Sequence, residues 1–237
     1  MIDAVNFSSS YNAFWNECTP TCEHFIRRLN LDGLERFEPP MKKSATSRRA
    51  FIAEFAFSLF IERKKDDAVG GEKRSARAIG LAARLETKNR LAPYAAQGLD
   101  LGREFDDDER REVNEIAKSL REFFYSSEKK FILRPVFSGC GYIDASEGDV
   151  IFGKTIFEVK TVERPFRSND IRQAITYAAL NYAAKKFDVE NIGLFNPRSG
   201  QFFDVPFDLV SWEISGKSSQ ELFSIIIQTV SNSGISR

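Results

Sequence analysis

The spacing of apolar residues changes partway along the chain, and that change limits the folds available to it. From about residue 10 to residue 101 the apolar residues recur at helical intervals. Phe14, Phe25, Ile26 and Leu29 form one stretch, and Phe51, Ile52, Phe55, Leu59 and Phe60 the next. No strand signal is present there. Pro39-Pro40 separates the two stretches, and Gly70-Gly71 among charged residues marks a loop before a further helical segment at 75–90. Asp106-Asp107-Asp108 then opens a helix striped by Val113, Ile116, Ala117, Leu120 and Phe124, its acids at the end where the helix dipole favours negative charge. Past Lys130 the period shortens. Residues 131–133 with 136–137, then 149–152 and 155–162, are β-rich runs broken by Gly139, Gly141, Gly148 and Gly153. An Ala-rich helix at 168–186, strands at 191–196 and 201–205 joined through 197–200, and a closing helix at 218–230 complete the order. This pattern predicts an α/β fold, a sheet covered by helices, with a helical N-terminal region at 1–104 and the sheet-bearing domain at 105–237.

Composition narrows the chemistry. Hydrophobic residues make up 42% of the chain and include 22 phenylalanines, enough for a full core. The longest apolar runs are too short for a membrane span, and Met1-Ile2-Asp3 lacks the basic-then-apolar order of a secretory signal, so the cytoplasm is the expected compartment. Cys18, Cys22 and Cys140 have no disulfide-framework spacing. Cys18, Cys22 and His24 are spaced faintly like metal ligands, but zinc wants a fourth, and His24 is the only histidine. Thiols packed between helices are the favoured reading. A single histidine also leaves carboxylates and lysine to perform any acid–base or metal chemistry. With 34 basic and 34 acidic residues, no global field draws in a polyanion. Positive charge is local instead: Lys42, Lys43, Arg48 and Arg49, then Arg63, Lys64 and Lys65, then Arg164, Arg167 and Arg172.

The segment from Asp149 to Lys160 concentrates the chemistry. With Gly153-Lys154 as a two-residue turn, Phe152 faces Thr155 and Asp149 comes to lie opposite Glu158 on the antiparallel partner. Opposed carboxylates at that spacing suit a hard cation such as Mg²⁺ or Mn²⁺. Strand alternation puts Lys160 on the same face as Glu158, with Phe157 and Val159 on the other. Two acids and an amine around a cation can hydrolyse a phosphodiester: the cation polarises the phosphoryl group, and the lysine orients water or offsets charge in the transition state. Asp144, in Gly141-Tyr142-Ile143-Asp144, is an alternative first carboxylate, although it needs an extra bend through Ser146-Glu147-Gly148. Downstream, Gln173 and Tyr177 are i and i+4 on one helical face with Asp170 a turn before, so the three can reach one target.

Taken together, Gly148-Asp149-Val150, Phe157-Glu158-Val159-Lys160-Thr161 and Gln173 with Tyr177 make residues 139–177 resemble the PD-(D/E)XK nuclease superfamily, in its exonuclease-like branch with a QxxxY helix. The resemblance implies a restriction-endonuclease-like core, with a central mixed sheet flanked by helices. It implies a Mg²⁺-dependent deoxyribonuclease in which Mn²⁺ substitutes, with Asp149 and Glu158 as metal ligands and Lys160 as the third catalytic residue. Gln173 and Tyr177 would contact DNA phosphate or steady the lysine. Arg172, with Arg164 and Arg167, lies where a phosphate would pass; ion pairing with Glu163 and Asp170 is the competing role for these arginines. Members of the superfamily often add a glutamate from the preceding helix, for which Glu112 and Glu115 are the candidates. By analogy the role is phage defence, restriction or repair, with DNA, subunits of such a system and a second copy of the chain as candidate partners. Two rival functions stay open: a non-cleaving or partner-licensed subunit, and an RNA-directed nuclease.

Overall fold

The computed structural model describes residues 2–42, 44, 46–68, 72–97, 100–125 and 129–232; the expected loop at Gly70-Gly71 lies outside them. The chain begins with short helices α1 (Ala4–Ser10), α2 (Asn12–Cys18) and α3 (Cys22–Arg28), then a two-residue strand, β1 (Glu35–Arg36). Longer helices follow: α4 (Arg49–Ala68), α5 (Ala76–Leu91) and α6 (Asp107–Phe124). Next come β2 (Phe131–Leu133), β3 (Val136–Phe137), β4 (Ser146–Glu147), β5 (Val150–Phe152) and β6 (Thr155–Val159), and then α7 (Ser168–Ala184). β7 (Asn191–Asn196), β8 (Gln201–Pro206), α8 (Phe207–Ser215) and α9 (Ser219–Asn232) close the fold.

The chain divides into two compact units, and the division does not fall at 104/105. One unit comprises Met1–Phe37, Lys129–Asn196 and Gln201–Arg237; the other comprises Glu38–Glu128 and Pro197–Gly200. The expected boundary fails at both ends for the same reason, which is that apolar faces choose their partners by packing rather than by sequence order. Phe7, Trp15, Phe25 and Ile26 of the first helices are buried in one core with Ile171, Ile175 and Ala178 of α7. The first thirty-odd residues therefore belong with the sheet. Conversely, α6 packs on α4 in the helical unit, where Phe60 and Phe124 stack with ring centroids 6.1 Å apart. Its start is as expected: Asp106 accepts the Glu109 N–H at 2.8 Å and Glu109 accepts the Asp106 N–H at 3.2 Å, a reciprocal cap.

The larger unit is α/β. Among the described residues six strands form a mixed sheet in the order β1-β8-β7-β6-β5-β2, and β3 and β4 pair separately. β5 and β6 are antiparallel through the Gly153-Lys154 turn, with Phe152 opposite Thr155 as the hairpin arithmetic requires. β6 and β7 are parallel, and α7 is the crossover that a parallel pair needs. The sequence hides several elements. β1 arises where no strand is expected and adds to β8; β4 pairs with β3; and α8 stands between β8 and the closing helix. The strand expected over 155–162 ends at Val159, and α7 stops at Ala184, where Lys185 adopts a left-handed conformation (φ 51°).

Alternation along β6 sends Ile156 and Glu158 toward α7 and Phe157 to the opposite face. Phe157 is buried there, and its row partner on β7 is Gly193. A Cβ at Gly193 would stand 2.4 Å from Phe157 Cε1, so glycine is required here to make room for the ring. We expect Gly193→Ala to destabilise the protein by about 1–3 kcal/mol, the usual cost of overpacking a core. A urea midpoint equal to or above that of the wild type would contradict this.

Candidate functional site

The β5–β6 register ends at the Val150–Phe157 pair, and Asp149 and Glu158 are the next residues beyond it on the two sides of the hairpin. Asp149 Oδ2 accepts the Val159 N–H at 2.8 Å, which turns its carboxylate toward β6. Glu158 is only 3% exposed. Its Oε1 receives the Lys160 ammonium at 2.8 Å, while its Oε2 is buried without a hydrogen-bond partner. A buried carboxylate oxygen without a fixed donor is costly unless something meets it, and the Asp149 carboxyl, when protonated, is one group that can. Beside Asp149, that oxygen forms half of a hard-oxygen pair of the kind Mg²⁺ takes when it binds through one or two carboxylates and keeps several waters. The residues present fit such a cation. Among the described residues no cluster of three or more His, Cys, Asp or Glu side chains has metal-ligand geometry, so water or main-chain oxygens must supply the rest.

The α7 residues converge on the same point. Lys160 Nζ donates to Gln173 Oε1 at 2.8 Å, Gln173 Nε2 donates to the Tyr177 hydroxyl at 2.9 Å, and that hydroxyl donates to the Glu147 carbonyl at 2.9 Å. A continuous chain of donors thus runs from the amine to β4. Gly148 lets this happen: a Cβ there would come within 2.8 Å of Phe137, whose ring stacks on Tyr177 at 5.0 Å. Asp170, one turn before Gln173, lies 3.8 Å from Lys160 Nζ.

Electrostatics follow from the crowding. Burial, then the like charge of Glu158 and a proton the two carboxyls can share, push the Asp149 carboxyl up from its ordinary 3.8 to about 8, against the pull of Lys160 and the Val159 N–H. Burial disfavours the Lys160 ammonium, but Glu158, Asp170 and Asp149 outweigh it and raise its pKa. Tyr177 is raised as well, first by burial and then by Glu158 and Asp149, which keeps it a neutral phenol able to donate.

Other expected residues are placed elsewhere. Arg172 is turned one residue, about 100°, around α7 from Gln173. It is 4% exposed, its guanidinium 5.8 Å from the Trp15 ring and 3.3 Å from Asn16 Oδ1, so it serves packing against α2 and is not available to a substrate. Arg164 grips Asp170 with both terminal nitrogens, at 2.7 and 2.9 Å, and Arg167 is exposed at the start of α7. Glu112 belongs to a buried cluster of the helical unit, where Ser44, Arg49 and Arg198 contact it, and Glu115 lies on the same helix. Asp144 is half-buried in the loop before β4, where its N–H binds the Ile2 carbonyl. Burial raises the Cys18 thiol to about 11 and Cys22 upward too, while His24 is exposed: packing thiols, as favoured. Two residues went unnoticed. Asn30 bonds both the Phe166 carbonyl and its N–H, at 2.9 and 3.0 Å, and Asn196 donates to the Val162 carbonyl at 2.8 Å, so the loop carrying Arg164 is pinned. Asn30 acts across 136 residues, and no local pattern announces such a contact.

Neither a family model nor a curated protein matches this chain. The geometry therefore carries the functional argument alone.

A carboxyl whose folded pKa lies above its unfolded one favours folding below the unfolded value and loses that contribution as pH rises through the folded one. For Asp149 the window runs from 3.8 to about 8. In chelator, the melting temperature should fall between about pH 5 and about pH 8, and Asp149→Asn should flatten that fall. Identical slopes for the two proteins would exclude Asp149 as its source.

Proposed function

We propose that this chain is a Mg²⁺-dependent nuclease that hydrolyses DNA phosphodiester bonds, with a restriction-endonuclease-like core built on the mixed sheet. The observation that carries this reading is the convergence of Asp149, Glu158, Lys160 and Gln173, with one buried Glu158 oxygen left unpartnered. When bound, the cation would supply Lewis-acid polarisation of the phosphoryl oxygens and acidify water. Asp149 and Glu158 would hold it; Mn²⁺, equally suited to carboxylate oxygen, would substitute.

Lys160 has the stronger claim to a direct role. Its ammonium is held at the carboxylate pair by Glu158 and Gln173, and its side chain retains 18% exposure. An ammonium fixed there can orient the attacking water and offset the charge that builds on the phosphoryl oxygens as water adds and one P–O ester bond breaks. Gln173 and Tyr177 act on the lysine: Gln173 orients the amine and Tyr177 orients Gln173. Of the two roles the resemblance implies for them, steadying the lysine is the one these hydrogen bonds support. The proposed setting is phage defence, restriction or repair in the cytoplasm. Among the described residues no helix is long and apolar enough to cross a membrane.

Plasmid DNA, linear DNA and RNA should be digested in parallel with Mg²⁺ or Mn²⁺. We expect DNA cleavage that chelator abolishes and that Lys160→Ala slows by about a hundredfold or more, the usual scale for losing a positioned proton-transfer or charge-stabilising group. RNA cleavage alone would move the reading to the RNA-directed enzyme. No cleavage of any substrate would favour the non-cleaving subunit, and cleavage unchanged by Lys160→Ala would remove that residue from the mechanism.

A further inference from the structure

An ammonium carries three hydrogens. Glu158 and Gln173 take two of the Lys160 directions at 2.8 Å each, and the Asp170 carboxylate faces the same nitrogen from the first turn of α7, 3.8 Å away. At that distance the contact is between charges rather than a hydrogen bond. Asp170 does more than a capping acid needs to do. It accepts the Arg167 N–H at 2.8 Å, as a residue at that helical position commonly would, but capping needs one oxygen and no burial. Asp170 is 3% exposed, and Arg164 clamps both its oxygens in a fork. Arg164 sits in turn on the loop that Asn30 and Asn196 pin. A buried carboxylate between two cations, one anchored by the fold and the other at the reaction centre, is an arrangement for fixing the second by means of the first.

We propose that Asp170, anchored by Arg164, is a positioning residue for Lys160. Its charge keeps the amine from following Glu158 alone, so that Nζ stays between Glu158, Gln173 and Asp170. The kinetic consequence rests on the nuclease reading above; the placement of the ammonium does not.

Asp170→Asn removes the charge and one prong of the Arg164 fork, while its amide oxygen still accepts the Arg167 N–H and keeps the cap. In the metal-free full chain, heteronuclear NMR of the lysine ammonium groups should show a slowly exchanging signal that Lys160→Arg removes. Asp170→Asn should shift it and speed its exchange, and Asp170→Glu, which keeps both cap and charge, should largely restore it. With DNA and Mg²⁺, Asp170→Asn should lower kcat about tenfold to a hundredfold, the scale of a displaced reacting group, with KM little changed and Asp170→Glu partly active. A Lys160 signal that Asp170→Asn leaves untouched would overturn the proposal, whatever happens to cleavage. The expected NMR changes in a wild-type protein that cuts nothing would uphold it and defeat the nuclease reading instead.

Discussion

Everything at the candidate site depends on burying the Glu158 carboxylate against the Lys160 ammonium. Neither charge would leave water unaided, and removing one partner of a buried pair strands the other at a cost of about 3–5 kcal/mol. The fold meets that demand by surrounding the pair with fixed polar groups: Gln173 on one side, Asp170 on another, Asp149 across the hairpin. One Glu158 oxygen is the exception, buried and without a partner. That oxygen can be met either by a proton shared with Asp149 or by a cation held between the two carboxylates.

The scaffold explains how these groups are brought together. A two-residue turn sets β5 against β6 in register, and a crossover helix returns over the face that Glu158 and Lys160 share. Glycine makes that packing possible at two points. Gly193 leaves room for Phe157 on the far face, and Gly148 lets the Phe137–Tyr177 stack approach the bend that carries Asp149. Through Tyr177 and Gln173, the packing of an aromatic pair is thus coupled to the position of the amine.

Much of this site was legible in the sequence because its logic is local. The Gly153-Lys154 turn set the β5–β6 register that leaves Asp149 and Glu158 as the next residues beyond it, strand alternation put Lys160 beside Glu158, and a spacing of four put Gln173 and Tyr177 on one helical face. Where reasoning failed, the determinant was distant. Arg172 follows β6 closely enough to suggest a phosphate contact, yet Trp15 and Asn16, far earlier in the chain, decide its direction. The same long-range packing draws the first three helices to the sheet and α6 to the helical unit, so the boundary at 104/105 could not hold. Two-residue strands such as Glu35–Arg36 and Ser146–Glu147 exist only because a partner is present, and they carry no periodicity to detect. α8, inserted between β8 and the last helix, was likewise concealed, since nine residues carry little helical periodicity.

If the carboxylates of Asp149 and Glu158 form a cation site next to Lys160, crystals grown with manganese and measured at its absorption edge will reveal it. An anomalous peak is expected within coordination distance of Asp149 and of Glu158, lost in Glu158→Gln. Manganese bound only elsewhere, or this pair empty at saturating metal, would contradict such a site.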